Sequence, residues 1–144
     1  MKMLSGSLDE TEKIAAKAAK IFRERKRAGA LIVGLAGDLG SGKTTFTQAL
    51  AREFGVVDDI TSPTYVIMKK YATADKKYPN LIHIDAYRLN KSAELASLGW
   101  RNIANDPNNL ILLEWPERVA DILPKDRVTI RFSFISETER EIDI

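Results

Sequence analysis

The chain has 144 residues, with 22 lysines and arginines against 20 aspartates and glutamates, one histidine and no cysteine. That length fits one domain around one hydrophobic core, and a hydrophobic fraction of 44% argues against intrinsic disorder. The absence of cysteine excludes disulfides, thiolate nucleophiles, iron–sulfur clusters and zinc sites with sulfur ligands. What remains is the chemistry of oxygen, amide and lysine groups.

The net charge of +2 is too small to indicate a nucleic-acid or membrane partner by itself. The N-terminus lacks the apolar core of a signal peptide. No stretch approaches the about 18 consecutive apolar residues of a transmembrane helix. We therefore expect a cytoplasmic protein without a membrane partner, and the lack of cysteine agrees with a reducing location.

The first predicted element is an amphipathic helix over residues 8–27. Ser7 and Glu10 form a capping-box pattern before it, and Gly29 ends it. Its apolar stripe comprises Leu8, Thr11, Ile14, Ala15, Ala18, Ile21 and Phe22. A short apolar run over 31–36, bounded by glycines, predicts a buried strand.

Further elements alternate along the rest of the chain. We predict helices over 44–54, 92–98 and 116–122, and strands over 64–71, 81–85 and 110–113. Alternating apolar residues over 127–134 and 139–144 predict an antiparallel hairpin. The sequence therefore indicates one α/β domain over residues 1–144, with three layers, a mixed and largely parallel sheet, and a C-terminal antiparallel hairpin.

Residues 37–44, GDLGSGKT, match the P-loop pattern G-x-x-x-x-G-K-[ST] between a predicted strand and a predicted helix. Glycines let successive N–H groups point at a phosphate, and the following helix adds the positive end of its dipole. In this motif Lys43 reaches the β- and γ-phosphates and the Thr44 hydroxyl ligates Mg²⁺. The fold is thus predicted to be P-loop NTPase-like.

A P-loop enzyme needs a further acid to hold the metal or to orient water. Glu114 ends the apolar strand 110–113, as the acid of a Walker B element does, and Asp85 ends the strand 81–85. Glu114 fits metal coordination better and Asp85 fits water positioning better. The spacing alone leaves that division open, and either acid could instead cap a helix or form an ion pair.

Two residues next to these acids have several interpretations. His83 alternates with Ile82 and Ile84, so its side chain is expected on the same face as Asp85. A hydrogen bond to a carboxylate or to loop backbone is favoured over metal ligation. Trp115 could form a wall of the nucleotide site, contact a partner or pack in the core.

The segment 61–65 lies where P-loop hydrolases often have a switch, whose hydroxyl senses Mg²⁺ and the γ-phosphate. Thr61, Ser62 and Thr64 are its candidate residues, and a proline turn capped by hydroxyls is an equally good interpretation. The sequence Asn90-Lys91-Ser92-Ala93 has alanine where a guanine-specific protein has an acid, which favours ATP over GTP.

Four motifs together resemble the bacterial TsaE (YjeE) family: residues 37–46, TSPTY at 61–65, HIDAYR at 83–88 and EWPER at 114–118. The resemblance implies an ATPase in the biosynthesis of threonylcarbamoyladenosine, the modified adenosine beside the tRNA anticodon. It further implies association with a TsaB–TsaD pair, whose turnover ATP hydrolysis supports, with tRNA contacted indirectly or through that complex.

The resemblance also assigns roles to individual residues. It implies that Lys43 binds phosphate, that Thr44 and Glu114 hold Mg²⁺, and that Asp85 is a catalytically required acid. The expected catalytic residues are thus Asp85, Lys43 and Glu114. The residues expected to bind ATP are Thr11, Leu39, Gly40, Ser41, Gly42, Lys43, Thr44, Thr45 and Arg140.

Two other functions use the same P-loop. One is a nucleotide-gated binding module in which hydrolysis is incidental, and the other is a small-molecule kinase, although 144 residues leave little room for the arginine-rich lid of such kinases. If the chain is an ATPase, we expect weak, partner-dependent activity because no arginine finger is obvious. Arg88 and Arg118 are the arginines nearest the motifs.

Overall fold

Seven strands and five helices make up the parts of the chain that the computed structural model describes, which are residues 1–38, 40–60 and 67–144. The strands are β1 (Lys2–Ser5), β2 (Leu31–Ala36), β3 (Met68–Ala72), β4 (Asn80–Asp85), β5 (Asn109–Glu114), β6 (Val128–Phe134) and β7 (Arg140–Asp143). The helices are α1 (Leu8–Glu24), α2 (Lys43–Glu53), α3 (Ser92–Ala96), α4 (Trp100–Ala104) and a 3₁₀ helix, Pro116–Ile122, which we label α5.

The strands form one mixed sheet in the order β1-β7-β6-β2-β5-β4-β3. The central pairs β6/β2, β2/β5 and β5/β4 are parallel, whereas β1/β7, β7/β6 and β4/β3 are antiparallel. One hydrophobic cluster packs α1 and α2 on one face of the sheet, and a second packs α3, α4 and α5 on the other. The predicted three-layer α/β fold with a largely parallel core and a C-terminal hairpin is confirmed.

The parallel core explains where the site must lie. Because β2, β4 and β5 are parallel neighbours, their carboxyl ends meet at one edge of the sheet. β2 is flanked by parallel strands on both sides, and all of its residues except the last are buried. Its predominantly apolar sequence follows from this, because a strand covered on both faces needs no polar alternation. The edge where β2 ends is therefore the place where the candidate residues meet.

The first helix begins at Leu8, as predicted, but ends earlier than expected. α1 ends at Glu24 rather than at residue 27, because the backbone of Arg25 is extended, at φ −74° and ψ 129°. The side chains of Arg25 and Arg27 donate to the carbonyls of Asp126 and Pro107. At the other end Ser7 Oγ accepts from the backbone N–H of Glu10 at 3.2 Å, as predicted.

The second half of the capping box is displaced by one residue. The Glu10 carboxylate accepts from the backbone N–H of Gly6 at 2.8 Å rather than from that of Ser7. Leu8 and Ile21, which were expected in the apolar stripe, are 57% and 40% exposed, whereas Ala19 is buried.

Two elements were not predicted from the sequence, and two others differ from their predictions in type or in bounds. β1 was missed because it is an edge strand held by its pairing with β7, and α4 was missed because it is only five residues long. The helix predicted from Pro116 is a 3₁₀ helix interrupted at Val119. Of the strand predicted over 64–71, the described part is β3, which begins at Met68. In the described ranges, no helix combines the length and the apolar character needed to cross a bilayer.

Candidate active site

The loop at residues 37–42 joins the end of β2 to the start of α2, and two of its glycines are required by the geometry. Gly42 has φ +97°, a left-handed conformation that side chains disfavour, and a Cβ there would lie 2.8 Å from Cδ of Arg140. At Gly37 a Cβ would lie 2.7 Å from the carbonyl oxygen of Phe132. The glycines at the two ends of the motif therefore fit this loop, and larger residues do not.

The polar groups gathered at this loop are hydrogen-bond donors, which are the groups that bind an anion. α2 has 11 residues, and the first N–H groups of a helix have no acceptor within the helix. Ser41 is 1% exposed, and its hydroxyl has no hydrogen-bond partner among the described residues. The side chain of Lys43 enters the same place. Unpaired N–H groups, an unpartnered hydroxyl, an ammonium and a helix dipole together fit a phosphate chain.

Lys43 is the most strongly constrained side chain of the site. It is 6% exposed, and its Nζ donates to the carbonyl of Gly37 and lies 4.1 Å from the centre of the Trp115 ring. Burial lowers the pKa of the Lys43 ammonium below its ordinary value. Nearby carboxylates act in the opposite direction, and Glu114 has the largest effect among them. The ammonium is thus held in place by a carbonyl, a ring face and surrounding negative charge.

The two predicted acids lie side by side at the same edge of the sheet. In the parallel pairing of β4 with β5, Asp85 is the register partner of Glu114, and Glu114 is also paired with Leu35 on β2. Glu114 is 4% exposed, whereas Asp85 is half-buried. Asp85 Oδ1 accepts from the backbone N–H of Tyr87 at 3.0 Å, which fixes the turn after β4. The structure therefore brings Lys43, at the start of α2, near Glu114 and Asp85, which lie at the ends of two adjacent strands.

The environments of the two acids differ in a way that spacing could not reveal. His83 Nε2 lies 2.8 Å from Glu114 Oε2, so the predicted hydrogen bond of His83 to a carboxylate is confirmed. Asp85 accepts no such side-chain donor in the described structure and is more accessible to solvent. Glu114 is a buried, oriented carboxylate, and Asp85 is one with access to water.

Trp115 belongs to an arrangement that the sequence analysis did not predict. Its backbone has φ 60° and ψ 51°, making it the one non-glycine residue with positive φ in the described ranges. Its ring lies 5.2 Å from that of Tyr87, and the guanidinium of Arg118 lies 5.3 Å from the Tyr87 ring. Of the three interpretations of Trp115, core packing is supported because Trp115 packs against the second hydrophobic cluster, and its ring also covers Lys43 at the edge of the site.

A cavity of about 320 Å³ lies between the start of α1, the first turn of α2 and the side chain of Arg140. It brings together three residues predicted to bind ATP, namely Thr11, Thr45 and Arg140, although they are far apart in the sequence. The Thr11 hydroxyl lies 2.7 Å from that of Ser5. Residues that line this cavity and that the sequence analysis missed are Ser5, Ser7, Leu8 and Thr138. These residues reach the cavity because the pairing of β1 with β7 brings the start of α1 next to the turn between β6 and β7, and no local sequence motif indicates such a position.

The remaining predicted residues either border the loop or fall outside the described ranges. Gly40 has left-handed backbone at φ +78° with open space around it, and Thr44 is half-buried in the first turn of α2. Leu39, Thr61, Ser62 and Thr64 lie outside the described residues. The predicted nucleotide contact of Leu39 and the predicted switch therefore stay predictions.

A metal bound by protein groups alone is not indicated. Within residues 1–38, 40–60 and 67–144, no cluster of three or more His, Asp or Glu side chains could hold an ion. Mg²⁺, however, is usually held by one or two protein groups together with waters and substrate phosphates. A buried carboxylate at Glu114 and a hydroxyl at Thr44, on either side of the loop, fit that kind of site.

Comparison with known proteins places this geometry in a family. The family model described as "Threonylcarbamoyl adenosine biosynthesis protein TsaE" matches residues 5–142, which include the loop, both acids and Arg140. The chain belongs to the TsaE family. By its name, the TsaE family takes part in the biosynthesis of threonylcarbamoyladenosine, as the motifs predicted.

Individual members of the TsaE family agree with that assignment. The chain is 33% identical over 128 residues to the tRNA threonylcarbamoyladenosine biosynthesis protein TsaE of Haemophilus influenzae, covering 89% of this chain and 78% of that one. It is 31% identical over 144 residues to the protein of the same name from Treponema pallidum, covering 100% and 99%. The crystal structure of YdiB from Bacillus subtilis matches with a TM-score of 0.72 and 30% identity, over 99% of this chain and 82% of that one.

Proposed function

We propose that the chain binds ATP with Mg²⁺ and hydrolyses it, in support of a TsaB–TsaD-like transferase that makes threonylcarbamoyladenosine in tRNA. The observation that supports this most is the convergence of Lys43, at the start of α2, with Glu114 and Asp85 at two adjacent strand ends beside the P-loop. Membership of the TsaE family supports the pathway. A cytoplasmic location follows from such a role.

The phosphate chain of ATP would be held by the chain's donors. Backbone N–H groups in the first turn of α2 would face the phosphate oxygens, and the Ser41 hydroxyl would gain the partner that it lacks among the described residues. Lys43 would exchange its contacts with the Gly37 carbonyl and the Trp115 ring for the phosphates. The cavity between α1 and Arg140 would receive the rest of the nucleotide.

Thr44 and Glu114 would hold Mg²⁺, and Asp85 would orient the attacking water. Bound Mg²⁺ neutralises phosphate charge and so lowers the barrier to transfer. Glu114 suits a metal ligand because it is buried and already oriented by a hydrogen bond. Asp85 suits the water because it is adjacent in register but more accessible.

We propose that hydrolysis is slow in the isolated chain and depends on the transferase. Arg118 lies over the ring of Tyr87, where its guanidinium is held by that ring. Its use on a transition state would require a rearrangement that a partner can stabilise. Given a net charge of only +2, tRNA would be contacted mainly through that partner complex.

Phosphate release from ATP by the purified chain tests the proposal, with and without a TsaB–TsaD pair. Lys43→Ala should lose phosphate release and tRNA modification, whereas Lys125→Ala, a matched change at an exposed lysine, should retain both. Full modification by the Lys43→Ala chain would contradict the proposal. Transfer of the γ-phosphoryl group to a small acceptor, instead of its release as inorganic phosphate, would indicate a kinase.

A further inference from the structure

His83 and Glu114 form a buried pair between neighbouring strands. Their side chains are 1% and 5% exposed, and the Nε2–Oε2 distance is 2.8 Å. In the register of β4 with β5, His83 is opposite Leu112, so Glu114 lies two residues nearer the edge that holds the P-loop. The pair thus links the interior of the sheet to the acid proposed to hold Mg²⁺.

The second ring nitrogen of His83, Nδ1, helps to distinguish a functional role of this side chain from packing. Nδ1 is buried and has no hydrogen-bond partner among the described residues. A buried polar atom without a partner is unfavourable, and leucine at this position would avoid that cost. The contact that only the imidazole makes is the one to Glu114, so packing alone does not account for a histidine here.

We propose that His83 is a positioning residue that fixes the Glu114 carboxylate for Mg²⁺ and nucleotide. With Nε2 protonated, His83 donates to Oε2 and restricts rotation of the carboxylate, which would leave Oε1 available to Mg²⁺. The inference rests on the proposed function, since it assigns a task to the residue behind a proposed metal ligand. Groups that orient a metal ligand in this way typically contribute about 10- to 100-fold to metal affinity.

The alternative in which His83 is itself a ligand does not fit the geometry. Its Nε2 is already directed at Glu114, and its Nδ1 is buried on the other side of the ring. No metal-binding cluster that includes His83 occurs in the described parts of the chain. His83 therefore acts through Glu114.

Two substitutions separate positioning from packing. In His83→Gln the side-chain amide nitrogen takes nearly the place of Nε2 and keeps the donor to Glu114. In His83→Asn the amide is one bond shorter and reaches only the place of Nδ1. A third chain, Ile84→Val, loosens the same strand on its opposite face without touching the pair, and it controls for a general effect on β4.

The measurement is the affinity for the non-hydrolysable ATP analogue AMP-PNP, by calorimetry, once with saturating Mg²⁺ and once with EDTA. The affinity with Mg²⁺ divided by the affinity in EDTA measures the contribution of the metal. The affinity in EDTA measures the contribution of the rest of the site. In His83→Asn the ratio should fall by about 10- to 100-fold with binding in EDTA unchanged. In His83→Gln and Ile84→Val the ratio should stay near that of the unmodified chain.

Two outcomes decide against the inference. An unchanged ratio in His83→Asn would overturn it, and so would an equal loss in His83→Gln. Should His83→Asn fail to fold, His83→Leu, which also offers no donor to Glu114, takes its place, with the same expected fall and the same contradicting result. A failure of the proposed function is distinguishable, because it would appear in the unmodified chain as equal affinity with Mg²⁺ and with EDTA.

Discussion

The ammonium of Lys43 lies 4.1 Å from the centre of the Trp115 ring and donates to the carbonyl of Gly37. Cation–π contacts of this kind are worth about 0.5–2 kcal/mol, more where water is excluded. A phosphate that engages Lys43 must therefore compete with the ring. Trp115 follows Glu114 in the chain. Its side chain therefore connects Lys43 to the end of the strand that carries Glu114.

This contact predicts a fluorescence signal. The chain has two tryptophans, and Trp100 lies on α4 beside Gly29 and Ala30, at the end of β2 opposite the P-loop. In a Trp100→Phe chain, adding ATP and Mg²⁺ should change the emission of Trp115, because the cation leaves its ring. In Trp115→Phe the emission of Trp100 should stay constant. An equal change in both single-tryptophan chains would indicate a global rearrangement instead.

Lys43 is predicted to lower the stability of the chain in the absence of nucleotide. Burial disfavours its charged form, as its lowered pKa indicates, so Lys43→Met should remove that cost at similar volume. We expect the midpoint of urea unfolding at pH 7 to rise. The exposed control Lys125→Met should leave the midpoint in place, and a lower midpoint for Lys43→Met would show that the contacts of Lys43 outweigh its burial.

Asp85→Asn separates binding from hydrolysis. The asparagine oxygen can still accept from the N–H of Tyr87, so the turn after β4 should persist while the charge is lost. We expect AMP-PNP affinity near that of the unmodified chain and single-turnover hydrolysis slowed by about 100-fold or more, the usual scale for a group that handles the attacking water. Hydrolysis at the normal rate would assign the water to another residue.

Asp75 is predicted to make stability depend on acid pH. Burial alone would raise the pKa of Asp75, but the Arg23 guanidinium at 2.7 Å and the backbone N–H groups of Lys77 and Tyr78 hold it below its ordinary 3.8. A carboxyl with a lowered pKa stabilises the fold above its unfolded pKa, and that contribution is lost as the pH falls through the folded pKa.

The variant Asp75→Asn tests this dependence by urea unfolding at several pH values. The loss relative to the unmodified chain should be about 1 kcal/mol or less at pH 7, because Arg23 is partly exposed. The difference should shrink below pH 4. Glu137→Gln, at an exposed turn residue, should show no such trend. A difference that stayed constant with pH would exclude the ion pair as its cause.

The sequence predicted most of the fold because its signals are local. The apolar run of β2, the glycines of the loop and the alternation of β6 and β7 each reflect a structure formed over a few residues. Asp85 and Glu114 were found for the same reason, as acids that end strands. β1 and α4 were missed because pairing and packing, rather than their own patterns, define them.

The contacts within the site required the three-dimensional structure. The cavity that joins Thr11 to Arg140 depends on where β1 and β7 lie in the sheet. The contact of Trp115 with Lys43 depends on a left-handed backbone at a non-glycine residue, which no propensity favours. The different surroundings of Glu114 and Asp85, one paired with His83 and the other open to solvent, likewise follow from register.

Calorimetric titration of ATP with Mg²⁺ into the unmodified chain and into Lys43→Ala tests whether the P-loop binds the nucleotide. We expect saturable one-to-one binding by the unmodified chain, strengthened by Mg²⁺, and loss of that binding in Lys43→Ala at unchanged folding by circular dichroism. Binding of equal affinity by the two folded chains would contradict it.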